Sequence, residues 1–156
     1  MTDGATKSGT FLVTAADDDA VVLSALADGQ VCPLASNPGF SVGEVLEATL
    51  APEDPLGVTW RPVDVVERFT PEVESVEGPP GERARAAAAA EEPGRLVRVS
   101  IDAGELHVLV VEPGDTEAAV EDVVADETTR RVAARLGARR VEVRGADGVV
   151  GVRYLV

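Results

Sequence analysis

Short apolar runs separated by turn residues occupy the first part of the chain. Asp28-Gly29 lies between two of these runs, which is a strong signal for a β-hairpin. Pro62 interrupts the last run, which favours a bulge or an edge position there. The pattern predicts a small β-barrel of the OB or SH3-like kind over residues 9–69, after a flexible N-terminus of residues 1–8. The runs are GTFLVTAA (9–16), AVVLSALA (20–27), QVCPL (30–34), GEVLEATL (43–50) and LGVTWRPVDVVERF (56–69).

A change of composition follows this predicted barrel. TPEVESVEGPPGE (70–82) is rich in Pro, Gly and Glu, which is typical of a boundary between domains. ERARAAAAAEE (82–92) favours a helix that stops before Pro93. We therefore assign residues 70–94 to a linker with an alanine-rich helix that docks on one of the two domains.

The remainder, residues 95–156, predicts an α+β domain. Two apolar runs are followed by two segments with helical periodicity and a closing hairpin, which gives the order β-β-α-α-β-β in two layers, with the helices on one face of the sheet. Asp115 and Asp126 are expected to cap the helices, and Gly137 is expected to end the second one. The segments are RLVRVSI (95–101), ELHVLVV (105–111), DTEAAVEDVVADE (115–127), DETTRRVAARLG (126–137) and RRVEVRGADGVVGVRYLV (139–156).

The closing hairpin predicts its own register. If Asp147-Gly148 forms a type I′ turn, Glu142 faces Arg153 across the strands. If Ala146-Asp147 forms the loop instead, the register slides but each side chain keeps its face. One face then carries Arg140, Glu142, Arg144, Gly151 and Arg153, and the other carries Val141, Val143, Val150 and Val152 against the helices.

The charge composition indicates a habitat. The chain has 28 acidic and 14 basic residues, a net charge of -14, and Lys7 is its only lysine. Such an excess suits a high-salt cytoplasm, where salt screens the repulsion, although a GC-rich genome also favours Arg over Lys. Cys32 stands alone, and no secretory signal or membrane span is present in the sequence, so we expect a cytoplasmic protein.

Positive charge is concentrated near the end of the chain. Residues 128–156 carry seven arginines against Glu142 and Asp147, a net of +5 in an acidic protein. One interpretation is a solvated face held by a Glu142–Arg153 pair, because such exposed pairs are common. The other is a surface for a protein or ribonucleoprotein partner, without membrane binding or any signal specific for DNA. Its candidate residues are Arg130, Arg131, Arg135, Arg140, Arg144 and Arg153.

Catalytic, metal and cofactor motifs are absent from the sequence. His107 lies alone in an apolar strand, where a packed structural role is commoner than a catalytic one. Cys32 has no second cysteine, and Asp17-Asp18-Asp19 lacks the spacing of an EF-hand, so a solvated turn is the better interpretation. We therefore expect no catalytic residue, no metal and no cofactor.

The segments GTFLVTAADDDAVVL, SNPGFSVGEVLEATLAPEDPLGVTWRPVDV, GELHVLVV and ARLGARRVEVRGADGVVGVRYLV resemble an uncharacterised family of haloarchaeal proteins, a domain of unknown function. The resemblance implies a salt-loving archaeal cytoplasm and a two-part layout, but no activity. The sequence thus favours a non-enzymatic binding or adaptor module. A carboxylate-based enzyme with its site at the domain junction and a purely structural homo-oligomer remain the alternatives.

Overall fold

The computed structural model describes residues 5–53, 56 and 58–156. The chain divides into two compact units, with the boundary between Pro71 and Glu72. The first unit contains a closed five-stranded β-barrel, and the second contains a sheet with packed helices. The predicted mixed α+β class is therefore confirmed.

The barrel closes in the strand order β1-β2-β3-β5-β4. Strand β3 runs parallel to β5, whereas the other neighbouring strands of the barrel are antiparallel. Its interior is built from alternating apolar residues such as Phe11, Leu23 and Leu46, each at most 1% exposed. The strands are β1 (Lys7–Ala16), β2 (Val21–Ala25), β3 (Val31–Leu34), β4 (Val45–Pro52) and β5 (Trp60–Phe69).

Two local predictions for the barrel have different outcomes. The bulge at Pro62 is confirmed, because Leu50 pairs with Pro62 and Thr49 with Asp64, which leaves one extra residue on β5. The flexible N-terminus of residues 1–8 is too long, because β1 begins at Lys7, whose Nζ donates to Asp28 at 2.6 Å. Residues 1–4 lie outside the described residues.

The segment predicted as a linker with a docked helix contains that helix and also a strand that was not predicted. Strand β6 (Glu72–Ser75) adds to the edge of the second sheet, and helix α1 (Glu82–Ala88) packs on that sheet. The helix ends earlier than the predicted residue 92, because Glu91 and Glu92 oppose the negative end of the helix dipole. The second unit thus begins with a strand that the Pro-, Gly- and Glu-rich composition had hidden, followed by the predicted helix.

The second sheet has the order β6-β9-β10-β8-β7, with β6 parallel to β9 and the other pairs antiparallel. Helices α2 and α3 pack on one face, against the valines of β9 and β10. The two helices predicted for this domain therefore share one face, as expected. Helix α1, which the sequence analysis placed in the preceding segment, packs on the opposite face, against Leu106, Val108 and Val110 of β8. The elements are β7 (Leu96–Ile101), β8 (Gly104–Val110), α2 (Thr116–Ala125), α3 (Glu127–Leu136), β9 (Arg140–Ala146) and β10 (Val149–Leu155).

The predicted helix ends are confirmed for α3 and wrong at the start of α2. The side chain of Asp126 accepts from Thr128 N, and Gly137 ends α3 with φ 73°. Asp115 makes no capping bond, because it completes a 3-10 turn that precedes α2. Thr116 does the anchoring instead: its Oγ1 donates to Pro113 O at 2.9 Å and accepts from Gly148 N at 2.8 Å.

Candidate anion-binding site

A type I′ turn sets the geometry of the hairpin formed by β9 and β10. Asp147 and Gly148 have φ values of 50° and 83°, which are the two positive angles that this turn requires. The ladder pairs Arg153 with Glu142 and Arg144 with Gly151. The register predicted for an Asp147-Gly148 turn is therefore confirmed.

The two faces of the hairpin separate by polarity as the alternation predicts. Val141, Val143, Val150 and Val152 are at most 4% exposed and pack beneath α2 and α3. The opposite side chains form what we call the arginine face. The arginine face consists of Arg140, Glu142, Arg144, Gly151 and Arg153.

Glu142 is the shared acceptor of the arginine face. Its Oε2 lies 3.3 Å from Arg140 Nε, and its Oε1 lies 3.4 Å from both Arg144 Nη1 and Arg153 Nη1. The predicted Glu142–Arg153 pair is present, but it is one of three contacts to the same carboxylate. One negative charge therefore stands against three positive charges on these strands.

A carboxylate from β6 changes this balance for one arginine. Glu74 pairs with Arg140, so Arg140 has two acidic partners. Among the described residues, Arg144 and Arg153 hydrogen-bond only to the one Oε1 of Glu142. A guanidinium carries five N–H donors, so most donors of these two side chains are not taken up within the described residues.

An open cleft of about 430 Å³ adjoins Arg144 and Arg153. Leu106 and Gly151 form its floor, and its walls come from the start of α1, residues 80–84, and from the β7–β8 turn with its flanking Ile101. A Cβ on Gly151 would lie 3.4 Å from the Cβ atoms of both Ala84 and Pro80. These are ordinary contact distances, so the start of α1 already covers Gly151 at this end of the cleft.

The other arginines proposed from the sequence lie elsewhere. Arg130, Arg131 and Arg135 are on α3, which packs on the valine side of the sheet. Arg131 is held by Glu127 of the same helix at 3.3 Å. The six candidate arginines therefore form two separate groups, and the structure brings only Arg140, Arg144 and Arg153 together.

His107 and Cys32, the other side chains considered for catalysis, are both buried. His107 is 6% exposed, its Nε2 lies 3.0 Å from Glu105 Oε1, and its ring centroid lies 4.8 Å from that of Tyr154. Burial raises the pKa of Tyr154 to about 12. Burial also raises the pKa of the Cys32 thiol, which keeps the thiol in its unreactive protonated form.

The acidic turn after β1 is stabilised by hydrogen bonds from its backbone N–H groups to the side chain of Asp17. Asp17 Oδ1 accepts from Asp19 N and Ala20 N, each at 2.8 Å, as in an Asx turn. In the part of the chain that the structure describes, no cluster of three or more His, Cys, Asp or Glu side chains could hold a metal ion. Within the same residues, no helix has the length and apolar character needed to cross a membrane.

Sequence comparisons identify a family without an assigned activity. None of the curated proteins and none of the solved structures matches this chain. One family model, described as a family of unknown function (DUF5812), matches residues 7–145. The match spans the barrel and most of the second unit, and it ends before β10 and Arg153. Because it covers most of the sequence, the chain belongs to the DUF5812 family.

Proposed function

We propose that this protein is a non-enzymatic binding module that holds a protein partner through one or two carboxylates of the partner, which contact Arg144 and Arg153. The observation that carries the proposal is their shared acceptor: both guanidiniums reach the same oxygen of Glu142 at 3.4 Å. Both also line an open cleft, where a further carboxylate can approach them. Arginine suits this task because its planar donors bind a carboxylate in a bidentate manner.

A protein partner fits the surface better than a nucleic acid does. Proteins that bind single strands stack the bases on aromatic side chains, but four of the five aromatic residues, Phe11, Phe40, Trp60 and Tyr154, are each at most 9% exposed. The fifth, Phe69, lies on β5 and not on the arginine face. The net charge of -14 also repels a phosphate backbone over the molecule as a whole. A protein partner needs to present only one or two carboxylates to the arginine face.

The enzyme alternative gains little support from the buried carboxylates. Glu44 is the one Asp or Glu residue buried among the described residues. Its two carboxylate oxygens accept from Arg68 at 2.6 and 3.1 Å, and Oε1 also accepts from Ser41 N. These three bonds to a charged partner and to the loop before β4 favour a structural role for this carboxylate.

We further propose that the protein works in the cytoplasm of a salt-loving organism. The acidic excess and the single lysine support this proposal. At 1 M salt the Debye length is only about 3 Å, so steering over distance is lost and direct arginine–carboxylate contacts remain. The proposal predicts that the free energy of unfolding increases as KCl is raised from 0.1 M to molar concentrations, measured by urea titration. A flat or opposite dependence would remove the support for a high-salt habitat.

Capture of partners from a high-salt lysate of the source organism tests the binding proposal. The test variant is Arg144→Gln with Arg153→Gln, which keeps polar side chains and introduces no negative charge. The control is Arg130→Gln with Arg135→Gln, which removes the same charge from α3 on the other side of the sheet. We expect the first variant to lose a partner that the wild type and the control retain.

Nuclease treatment separates the two classes of partner. A protein that remains bound after nuclease treatment and is lost only with the Arg144 and Arg153 variant supports the proposal. If all captured partners depend on RNA, the partner is a nucleic acid and the proposal of a protein partner is wrong. If both variants capture the same partners as the wild type, the arginine face is not the binding surface.

A further inference from the structure

The cleft beside the arginine face combines an apolar floor with a positively charged edge. Leu106 and Gly151 line the floor, and Arg144 and Arg153 line the edge. Arg83 is also in the lining, and the acidic side chains there are those of Glu82 and Asp102. The charged lining has a net of +1, which the charge of Glu142 beside the two arginines offsets, so this region is close to neutral in a chain whose net charge is -14. An anionic ligand with an apolar part complements both properties.

The size of the cleft sets a limit on the ligand. Its volume of about 430 Å³ lies near the lower end of the range that proteins use for small ligands. It therefore accommodates an anchoring residue rather than a whole folded surface. The cleft is open to solvent, so a chain attached to that residue can leave it.

We infer that the cleft receives the carboxyl-terminal residue of the partner protein, with an aliphatic side chain against Ile101 and Leu106 and the terminal carboxylate between Arg144 and Arg153. This inference rests on the proposed binding of a protein partner. The terminal carboxylate takes the guanidinium donors that Glu142 does not occupy. The aliphatic side chain is removed from water by the floor of the cleft.

A chain end fits better than an internal acidic residue for a geometric reason. At a chain end, one residue carries both the carboxylate and the apolar side chain, and both groups branch from the same Cα. In an extended internal segment, successive side chains point to opposite sides, so the apolar neighbour of a Glu or Asp points away from the cleft. The chain end meets both requirements of the cleft with one residue.

Glu142 competes with such a ligand for the same two guanidiniums. Replacing Glu142 with Gln removes the competing charge and keeps the size of the side chain. We expect the Glu142→Gln variant to bind the ligand more tightly by up to about fivefold, the range of a partly exposed ion pair. An unchanged affinity would show that Glu142 and the ligand do not share these two guanidiniums.

Amide chemical shifts of the full-length protein in molar KCl test the inference with simple probes. N-acetyl-leucine presents the carboxylate and the aliphatic side chain of a chain end. N-acetyl-leucinamide lacks the charge, and N-acetylglycine lacks the side chain. We expect N-acetyl-leucine to shift the signals of Ala103, Leu106 and Gly151, and each control probe to bind at least about tenfold more weakly, the loss of one good interaction.

The same titration contains the results that would overturn the inference. Equal binding of N-acetyl-leucine and its amide excludes the role of the two arginines, as does unchanged binding by the Arg144→Gln, Arg153→Gln variant. If 4-methylpentanoate binds as tightly as a pentapeptide that ends in leucine, the ligand is a free aliphatic acid rather than a chain end. If the variant loses its protein partner but N-acetyl-leucine binds no better than N-acetylglycine, the proposed function stands and this inference falls.

Discussion

Arg153 lies directly opposite Glu142 on the β9–β10 ladder, and its Nη1 reaches Oε1 of that carboxylate at 3.4 Å. Arg144 reaches the same oxygen at the same distance. These contacts are longer than the usual hydrogen bond of an arginine to a carboxylate. The shared oxygen therefore holds the two guanidiniums near the cleft without saturating their donors, and the binding proposal depends on this arrangement.

Removal of the Glu142 charge is expected to weaken the second unit. The Glu142→Gln variant leaves Arg140, Arg144 and Arg153 without their common counter-charge on adjacent strands. We expect the free energy of unfolding to fall by about 1–2 kcal/mol, because exposed ion pairs contribute up to about 1 kcal/mol each and this carboxylate serves several. Urea titration measures the change.

Glu74→Gln is the matched control, because Glu74 pairs only with Arg140 among the described residues. This variant should lose no more than about 1 kcal/mol, as expected for a single exposed pair. Equal losses in the two variants would contradict the role of Glu142 as the shared acceptor.

Position 148 requires a glycine for a second reason besides its positive φ of 83°. A Cβ at this position would lie 2.6 Å from the carbonyl oxygen of Val111. The Gly148→Ala variant therefore combines backbone strain with a steric clash, and we expect it to lose at least about 2 kcal/mol of stability. Gly137→Ala is the control, since Gly137 has φ 73° with open space around a Cβ and should lose only about 1 kcal/mol. Similar losses, measured by thermal and urea unfolding, would show that the clash is relieved.

The hairpin could be predicted from the sequence because its information is local. The Asp147-Gly148 turn fixes the register, and the alternation of valines with arginines fixes the faces. Both features belong to neighbouring residues, so the two faces followed from the residues alone, whereas the pairing of Glu142 with Arg153 belonged to one of the two registers that the turn residues allowed.

The surroundings of the arginine face could not be predicted in the same way. Glu74 reaches Arg140 through parallel pairing of β6 with β9, and these strands are far apart in the sequence. The turn-rich composition of residues 70–82 concealed this strand, and the alanines of α1 do not show which face of a sheet they cover. The cleft exists only through that packing, so its floor of Leu106 and Gly151 gave no signal in the sequence.

Thr116 joins the start of α2 to the hairpin turn. Its buried hydroxyl donates to Pro113 O and accepts from Gly148 N. The Thr116→Val variant keeps the shape but leaves the buried Gly148 N–H without its acceptor, so we expect a loss of about 1–3 kcal/mol. Thr116→Ser keeps the hydroxyl and should retain more than half of that stability. If both variants unfold at the same urea concentration, the hydroxyl contributes little and the prediction is wrong.

Tyr154 should make the protein less stable in alkali. Burial raises its pKa from 10.0 to about 12 in the folded state, so the folded protein retains a proton that the unfolded chain releases. The protonated phenol therefore contributes about 2–3 kcal/mol to the free energy of unfolding. This contribution is fully present below about pH 10 and is lost as the pH rises through about 12.

Because Tyr154 is the only tyrosine, its ionisation can be measured by tyrosinate absorbance in the folded protein and in urea. The midpoint is expected near pH 12 in the folded protein and near 10 in the unfolded chain. The Tyr154→Phe variant should lack this part of the decline in unfolding free energy between these two values. A folded midpoint near 10 would contradict the burial of the phenol beneath α3, and an identical decline in the variant would assign the alkaline loss to other groups.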